Sequence, residues 1–426
     1  MPHDLDTWLA RLEARHPRAI DLGLDRIREV HARLGLTRPA PVVITVGGTN
    51  GKGSTVAFIE AIARAQGLRV GTYTSPHLQR YNERIRIEGQ DARDAAIVEA
   101  FEAIEAARGD TGLTYFEVGT LAALWLFERA QLDLAILEVG LGGRLDATNI
   151  VDADVAAITT VDLDHTDWLG DDVESIGFEK AGIARSWKPL VLGDDDPPSS
   201  VLRHAYAIGA NTLRIGCDFF VDRDVDDGWR WREVGFDIEL AMPALAAPSQ
   251  LRNAAVAIAA LRASPLAIDD AALRAGVARA RIAARLQRIE RDGVEYVVDV
   301  AHNPQAAREL AAWLSRTPAV GRTHAVFAAL GDKDVAGVAA ALADRVDAWH
   351  VAGLPGHGPR VLEVEPFAAR LAGTAAREAR HWRDVPAALA GLARSAAPGD
   401  RVLVFGSFHT AAEALEALGA STATEG

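Results

Sequence analysis

Between residues 42 and 192 short apolar, β-branched runs recur, each followed by a polar or glycine-bearing turn and then by helical spacing. Residues 42–46, 133–137 and 154–160 predict buried strands, and so does the run from 69 that ends in a polar turn at Ser75. Residues 55–65, 114–130 and 174–184 carry the helical period. Strands alternating with helices predict a parallel sheet covered on both faces, an α/β domain of three layers. Ahead of it, residues 5–35 predict two helices. Leu5, Trp8, Leu9 and Leu12 mark the first, residues 20–24 interrupt the pattern, and the second runs to about Leu34. Asp21 at that break has the chemistry of a helix cap. Residues 81–88 alternate and predict another short strand.

The pattern changes over 193–250, where an acidic loop, a tryptophan-bearing stretch at 222–231 and the alternation at 236–240 predict a small antiparallel excursion. Helices are predicted at 253–263, beginning at Asn253, and at 269–280. A second alternating series follows, with strands at 295–300, 324–330, 348–351 and 401–405 and alanine-rich helices between them. The chain therefore divides into a larger domain, 1–282, and a smaller α/β domain, 288–426, joined through 282–288.

The stretch with the sharpest chemistry is Gly48-Thr-Asn-Gly-Lys-Gly-Ser54, directly after the first strand of the series. Glycines let backbone N–H groups converge on an anion, the helix start adds partial positive charge, and Lys52 adds a full one. The spacing departs from G-x-x-x-x-G-K-[ST], because Val46 stands where that motif has glycine and Gly53 separates Lys52 from Ser54. Other strands end in polar residues too. Ser75 follows the second strand, Glu138 ends the third beside Gly140, Gly142 and Gly143, and His165 lies among carboxylates after the fourth. A carboxylate at a strand terminus beside a glycine-rich loop suits Mg²⁺, which takes one or two carboxylates plus phosphate oxygens and water. By spacing alone Lys180 is a surface lysine.

Composition narrows the setting. The chain has 45 Lys plus Arg against 59 Asp plus Glu, a formal charge of −14, which argues against general nucleic-acid or anionic-membrane binding. One cysteine, Cys217, excludes an intramolecular disulfide framework and fits a reducing cytoplasm. The amino terminus lacks an apolar leader core, and no uncharged apolar run approaches the ~20 residues of a membrane span. From the residues alone the reading is an ATP-dependent enzyme of two domains, with positioning and charge neutralisation as its main work.

Nine stretches, in order, carry a resemblance that covers nearly the whole chain. They are Ile20-Asp-Leu-Gly-Leu-Asp25, Gly48 to Ser54, Ser75-Pro-His-Leu78, Thr114-Tyr-Phe-Glu117 and Leu137-Glu-Val-Gly-Leu-Gly-Gly-Arg-Leu-Asp-Ala-Thr-Asn149. Leu163-Asp-His-Thr-Asp-Trp-Leu-Gly170, Glu179-Lys-Ala-Gly-Ile183, Asp299-Val-Ala-His-Asn-Pro304 and Gly406-Ser-Phe-His409 complete them. With these the chain resembles the bacterial bifunctional dihydrofolate synthase/folylpolyglutamate synthases of the Mur ligase superfamily. The resemblance implies a P-loop ATPase-like first domain and a Rossmann-like second one. It implies an ATP-dependent amide ligase that adds L-glutamate to dihydropteroate and to tetrahydrofolate polyglutamates through an acyl phosphate, in a cytoplasmic monomer.

It also implies roles. Thr49, Asn50, Gly51, Lys52, Gly53 and Ser54 would cradle ATP, with Asn253, Arg285, Asp299, His302 and Asn303 as further ATP-side positions. Ser75, Glu138 and His165 would hold two Mg²⁺ ions, and a monovalent cation is a further candidate. Lys180 matches a lysine that is carbamylated, which turns a cation into a metal-binding carboxylate-like group. Lys52, His165 and Lys180 would be the catalytic set. Asp21, Leu22, Gly23, Leu24, Thr114, Tyr115, Phe116, Glu117, Leu145, Asp146 and Ala147 match the pterin side. One departure is visible: Ala283-Ala284 precede Arg285 where the resemblance calls for Pro-Gly. Three alternatives stand beside this reading, namely a monofunctional folylpolyglutamate synthase, a cell-wall amino-acid ligase and a non-catalytic nucleotide-binding regulator. The cell-wall ligases carry an extra domain before the phosphate loop, which the short stretch ahead of residue 48 does not accommodate.

Overall fold

An unbroken apolar run has no polar face to give to water, and the run at 42 is buried at every position as strand β1 (Val42–Gly47). In the computed structural model, residues 4–15, 21–223, 228–356, 361 and 363–420 are described. Ile20 and residues 224–227 of the tryptophan-bearing stretch lie outside them. The chain separates into one unit of Met1–Ala244 with Leu251–Ala280 and another of Leu245–Gln250 with Arg281–Gly426.

The first unit is built on an eight-stranded sheet in the order β4-β3-β2-β5-β1-β6-β7-β8. Its strands are β1, β2 (Val70–Tyr73), β3 (Ile85–Ile87), β4 (Gln90–Asp91), β5 (Leu134–Glu138), β6 (Val155–Ile158), β7 (Pro189–Leu192) and β8 (Asn211–Arg214). β2, β5, β1, β6, β7 and β8 are parallel, while β3 and β4 continue the edge antiparallel. β1 is central, with β5 on one side and β6 on the other, so the turns after these strands gather at one edge, where open parallel sheets bind ligands. The residues 81–88 are not one strand. Tyr81–Arg84 is a 3₁₀ turn, and only Ile85–Ile87 pairs. The reason is the Glu83 carboxylate, which accepts from the N–H groups of Leu78, Gln79 and Arg80 and winds the chain into a turn.

The excursion is antiparallel as expected, with β9 (Phe219–Asp222), β10 (Gly228–Glu233) and β11 (Phe236–Ala241). Alternation in β10 buries Trp229 and Trp231. Asn253 does not start its helix, which runs Gln250–Ala263 and carries Asn253 within its first turn. Nor is Asp21 a cap. The helix Asp25–Arg33 has no side-chain cap, and Asp21 pairs instead with Arg26.

The second unit has six strands in the order β12-β13-β17-β14-β15-β16. These are β12 (Gln287–Arg291), β13 (Val294–Val298), β14 (Thr323–Phe327), β15 (Ala348–Ala352), β16 (Arg380–Trp382) and β17 (Arg401–Phe405). All but β12 run parallel. The part of the linker at 287–288 is thus strand, an antiparallel edge to β13. Phe327 stacks on Phe405 across adjacent strands, with centroids 4.8 Å apart, and anchors the core.

Candidate active site

β1 ends in the glycine loop, and the following helix begins at Lys52, earlier than the Thr55 expected, so its first N–H groups open onto the loop. Gly51 is at φ 88°, and a Cβ there would lie 2.4 Å from Asn253 Oδ1; both the left-handed backbone and the close neighbour require glycine. The loop is pinned from β6. Thr49 N–H donates to the Thr160 carbonyl at 2.7 Å, Asn50 N–H to Thr160 Oγ1 at 3.1 Å, and Thr159 Oγ1 to the Asn50 carbonyl at 2.6 Å. Sequence reasoning missed Thr159 and Thr160; the signal was two hydroxyls at a strand terminus beside the loop's own strand.

Lys52 Nζ donates to the carbonyls of Gly48 and Thr49 at 3.0 and 3.2 Å. Those are exchangeable bonds that a phosphate replaces at little cost. Ser54 is 1 % exposed and its hydroxyl has no hydrogen-bond partner among the described residues. A buried hydroxyl left so costs about 1–3 kcal/mol and suits a ligand oxygen or cation at the helix start.

Glu138 ends β5 buried, and its Oε2 accepts from Ser75 N–H at 3.2 Å, so the ends of β2 and β5 meet. His165 has φ 52° and precedes the short helix Thr166–Leu169; its N–H donates to Asp164 Oδ1 at 2.9 Å. Lys180 is not a surface lysine. It is 4 % exposed on the helix Val173–Ala181, because that helix is packed against the glycine-rich loop after β5. Burial, reinforced by the Lys52 charge and opposed by Asp164, pulls its amine down to about 7. Burial thus favours the free amine over the ammonium. Among the described residues no group of three or more His, Cys, Asp or Glu could hold a metal alone. Ser75 and Glu138 offer a hydroxyl and a carboxylate, donor types that a hard cation accepts beside phosphate and water.

The residues expected on the acceptor side fall into two kinds. Thr114 and Glu117 form a reciprocal capping box on the helix Tyr115–Ala130, with bonds of 2.8 and 3.2 Å. The Glu117 carboxylate also meets Arg26 Nε at 2.9 Å, and Arg26 holds Asp21 Oδ2 at 2.8 Å. Arg26, missed from sequence, is thus the hub between Asp21 and Glu117, and it brings the Leu22-Gly23-Leu24 turn to the helix start. Phe116 lies 5.8 Å from Tyr73, and Tyr115 stands edge-on to Tyr81 at 5.7 Å. Asp146 is spent inside its loop. It caps the 3₁₀ turn Ala147–Ile150, accepting from Thr148 N and Oγ1 at 3.0 and 2.7 Å and from Leu141 N at 2.9 Å. It shapes the segment holding Leu145 and Ala147.

In the second unit Asp299 follows β13, and its oxygens accept from Leu286 N–H and Ala301 N–H, both at 2.8 Å. Burial raises its carboxyl, and the Arg285 charge opposes the rise. Asn303 caps the helix Pro304–Arg316 through Ala306 N–H at 3.0 Å, and His302 Nδ1 lies 3.0 Å from the Val300 carbonyl. The Arg285 guanidinium sits 5.4 Å from the Phe408 ring. Ala284 occupies φ 54°, the left-handed region that the absent glycine would have taken freely.

The Mur ligase middle domain pattern matches residues 46–261, and the Mur ligase glutamate ligase domain pattern matches 284–408. The dihydrofolate synthase/folylpolyglutamate synthase of Escherichia coli strain K12 is 47% identical over 417 residues, 98% of this chain and 96% of that one. This chain belongs to the dihydrofolate synthase/folylpolyglutamate synthase family of the Mur ligases. Its fold follows that of the solved E. coli FolC in complex with DHPP and ADP, at TM-score 0.92 and 47% identity, with 98% of each chain covered. A bifunctional folylpolyglutamate synthase/dihydrofolate synthase solved with Mn, AMPPNP and L-glutamate bound matches at TM-score 0.90 and 47% identity, again with 98% of each chain covered. Among the described residues no helix is long and apolar enough to cross a membrane.

Proposed function

We propose that this chain joins L-glutamate to dihydropteroate, and to the γ-carboxyl of tetrahydrofolate glutamates, at the expense of ATP. One observation carries the reading. A glycine loop with Lys52 and a buried Ser54 hydroxyl that has no hydrogen-bond partner among the described residues lies in the same unit as the Glu138–Ser75 pair and a buried Lys180 whose amine is pulled down to about 7. An acceptor carboxylate oxygen attacks the γ-phosphorus and the bond to ADP breaks. The glutamate amine then attacks the acyl carbon, phosphate leaves, and the nitrogen sheds its proton to water. Loop N–H groups and Lys52 orient ATP and counter the charge that gathers on the phosphates.

Ser75, Glu138 and His165 would hold divalent cations, which supply further charge neutralisation when bound. Neutral Lys180 Nζ adds to the carbon of CO₂; an N–C bond forms, the C=O electron pair moves to oxygen, and the nitrogen proton leaves to solvent. The resulting carbamate offers two oxygens where an ammonium offered none. Arg26, Asp21 and Glu117, with Phe116, Leu145 and Ala147, are the acceptor side; Asn253, Arg285 and His302 are further ATP-side positions, while Asp299 and Asn303 hold the backbone around them through the bonds they make to the chain. The setting is cytoplasmic, the partners are small molecules, and the protein acts as a monomer.

The test is glutamate-dependent ADP release, measured with dihydropteroate and separately with tetrahydrofolate. We expect both to support it. Activity with one acceptor alone removes the bifunctional part, and activity with neither removes the function.

A further inference from the structure

Lys180 and the acceptor-side segment belong to different stretches of chain, and one buried amide ties them. Asn149, 6 % exposed, donates through both Nδ2 hydrogens, to the Arg144 carbonyl and to the Gly182 carbonyl, each at 3.0 Å. Its Oδ1 accepts from Arg185 Nη2 at 2.9 Å. The first bond closes the loop that presents Leu145, Asp146 and Ala147, and the second reaches the residue that ends the helix bearing Lys180. The two segments also touch directly. Arg144 N–H donates to the Glu179 carbonyl at 2.8 Å, and the Arg144 guanidinium holds Glu179 Oε1 at 2.8 and 3.2 Å. There is no room between them for a side chain. A Cβ on Gly143 would stand 2.9 Å from the Glu179 carbonyl, and one on Gly182 would stand 2.4 Å from Arg144 Cβ.

We infer that Asn149 is a positioning residue that fixes the Lys180 helix against the acceptor-side loop, and so sets where the Lys180 carbamate stands relative to that loop. The inference rests on the carbamate reading above. Its logic is geometric. Both amide hydrogens are committed to carbonyls on opposite sides of the junction, and no water-exposed alternative can replace a buried bond there without cost. Loosening the junction lets the Lys180 helix drift from the acceptor-side loop, while the phosphate loop, pinned separately by Thr159 and Thr160, stays in place.

The experiment uses Asn149→Ala and Asn149→Asp in the full chain, with carbon-13-labelled bicarbonate as the probe. Carbamate is read by NMR in the resting protein, and KM for ATP and kcat are measured alongside. Asn149→Asp keeps an acceptor for Arg185 and loses both donors. Loss of an outer partner of this kind should lower kcat about 10- to 100-fold. The bicarbonate needed for half-maximal carbamate signal should rise about tenfold. KM for ATP should stay within about twofold, since uniform ATP binding is untouched. Unchanged carbamate occupancy in both variants overturns the inference, as does a fall in kcat that merely follows the folded fraction by circular dichroism. No carbamate signal in the unsubstituted protein overturns the Lys180 reading and this inference with it.

Discussion

The strand ends of the two units carry similar residue types and use them differently. In the first unit the polar groups after β1 keep capacity for a ligand. Ser54 Oγ has no hydrogen-bond partner among the described residues, and Lys52 rests on carbonyls of its own loop. In the second unit the equivalent groups are consumed by the chain. Asp299 takes two backbone N–H groups, Asn303 and Ser407 cap helices, and Thr410 Oγ1 donates to the Ala328 carbonyl at 2.6 Å. The contrast separates residues with capacity left for a ligand from residues spent on the fold. The same Asp, Asn or Ser letter serves either role, and only its neighbours decide which.

The strongest test of that contrast is Lys52→Ala. It should lower kcat by about 10²–10³-fold with an unchanged unfolding midpoint, since one displaced cation at the phosphates is worth roughly 3–4 kcal/mol. Turnover near the original level would place Lys52 among the residues spent on the fold. The next largest effect belongs to the second unit's sheet. His350 on β15 is buried against His324, Arg380 and Trp382, and burial, then the charges of His324 and Arg380, lower it to about 4. The unfolded histidine takes its proton below about 6.5 while the folded one refuses until about 4, so stability is intact above that window and falls through it by about 3 kcal/mol. Urea unfolding across this pH range checks it. His350→Phe should flatten the profile, and an equally steep profile in the variant would exonerate His350.

Asp299→Asn comes third. If the carboxylate is spent on the fold, weakening its two backbone bonds should cost about 1–3 kcal/mol in denaturant midpoint, with kcat of the folded fraction little changed. An intact midpoint with lost activity would move Asp299 to the binding side of the comparison. The smallest change is Ala284→Gly. Releasing a left-handed alanine gains ~1–2 kcal/mol, and glycine's extra backbone freedom when unfolded returns part of it. A net rise of up to about 1 kcal/mol is expected by thermal unfolding. A loss would show that the position is less strained than its φ of 54° indicates.

Most of the frame was legible because apolar runs that are buried on both faces leave one reading. The runs at 42 and 133 became β1 and β5, and 401–405 became β17 at the expected residues. The glycine loop was legible for the same reason, since a lysine and a hydroxyl in a turn have little structural use. Lys180 was not. Its helix buries Ile176, Gly177, Lys180 and Ala181 on one face while Val173 and Phe178 stand exposed, so the apolar letters do not mark the side that faces inward. Arg26 escaped because its two partners, Asp21 and Glu117, lie on either side of it at unrelated spacings. The 3₁₀ turn at Tyr81–Arg84 escaped because Glu83 captures three upstream N–H groups, which outweighs the alternation of side chains.

The contact between Gly51 and Asn253 sets a timetable. The phosphate loop leaves the ribosome early, but the amide packed against it is encoded some 200 residues later. At synthesis rates of roughly 5–20 residues per second, that gap is roughly 10–40 seconds. The helix Lys52–Ala65 waits longer still for Asp270–Arg279, the helix that packs on it. During that interval the nascent chain holds a nucleotide motif without its finished surroundings. The first unit reaches its native state only as its last helix emerges, and a transcript cut short before codon 253 yields a chain whose glycine loop never receives its neighbour.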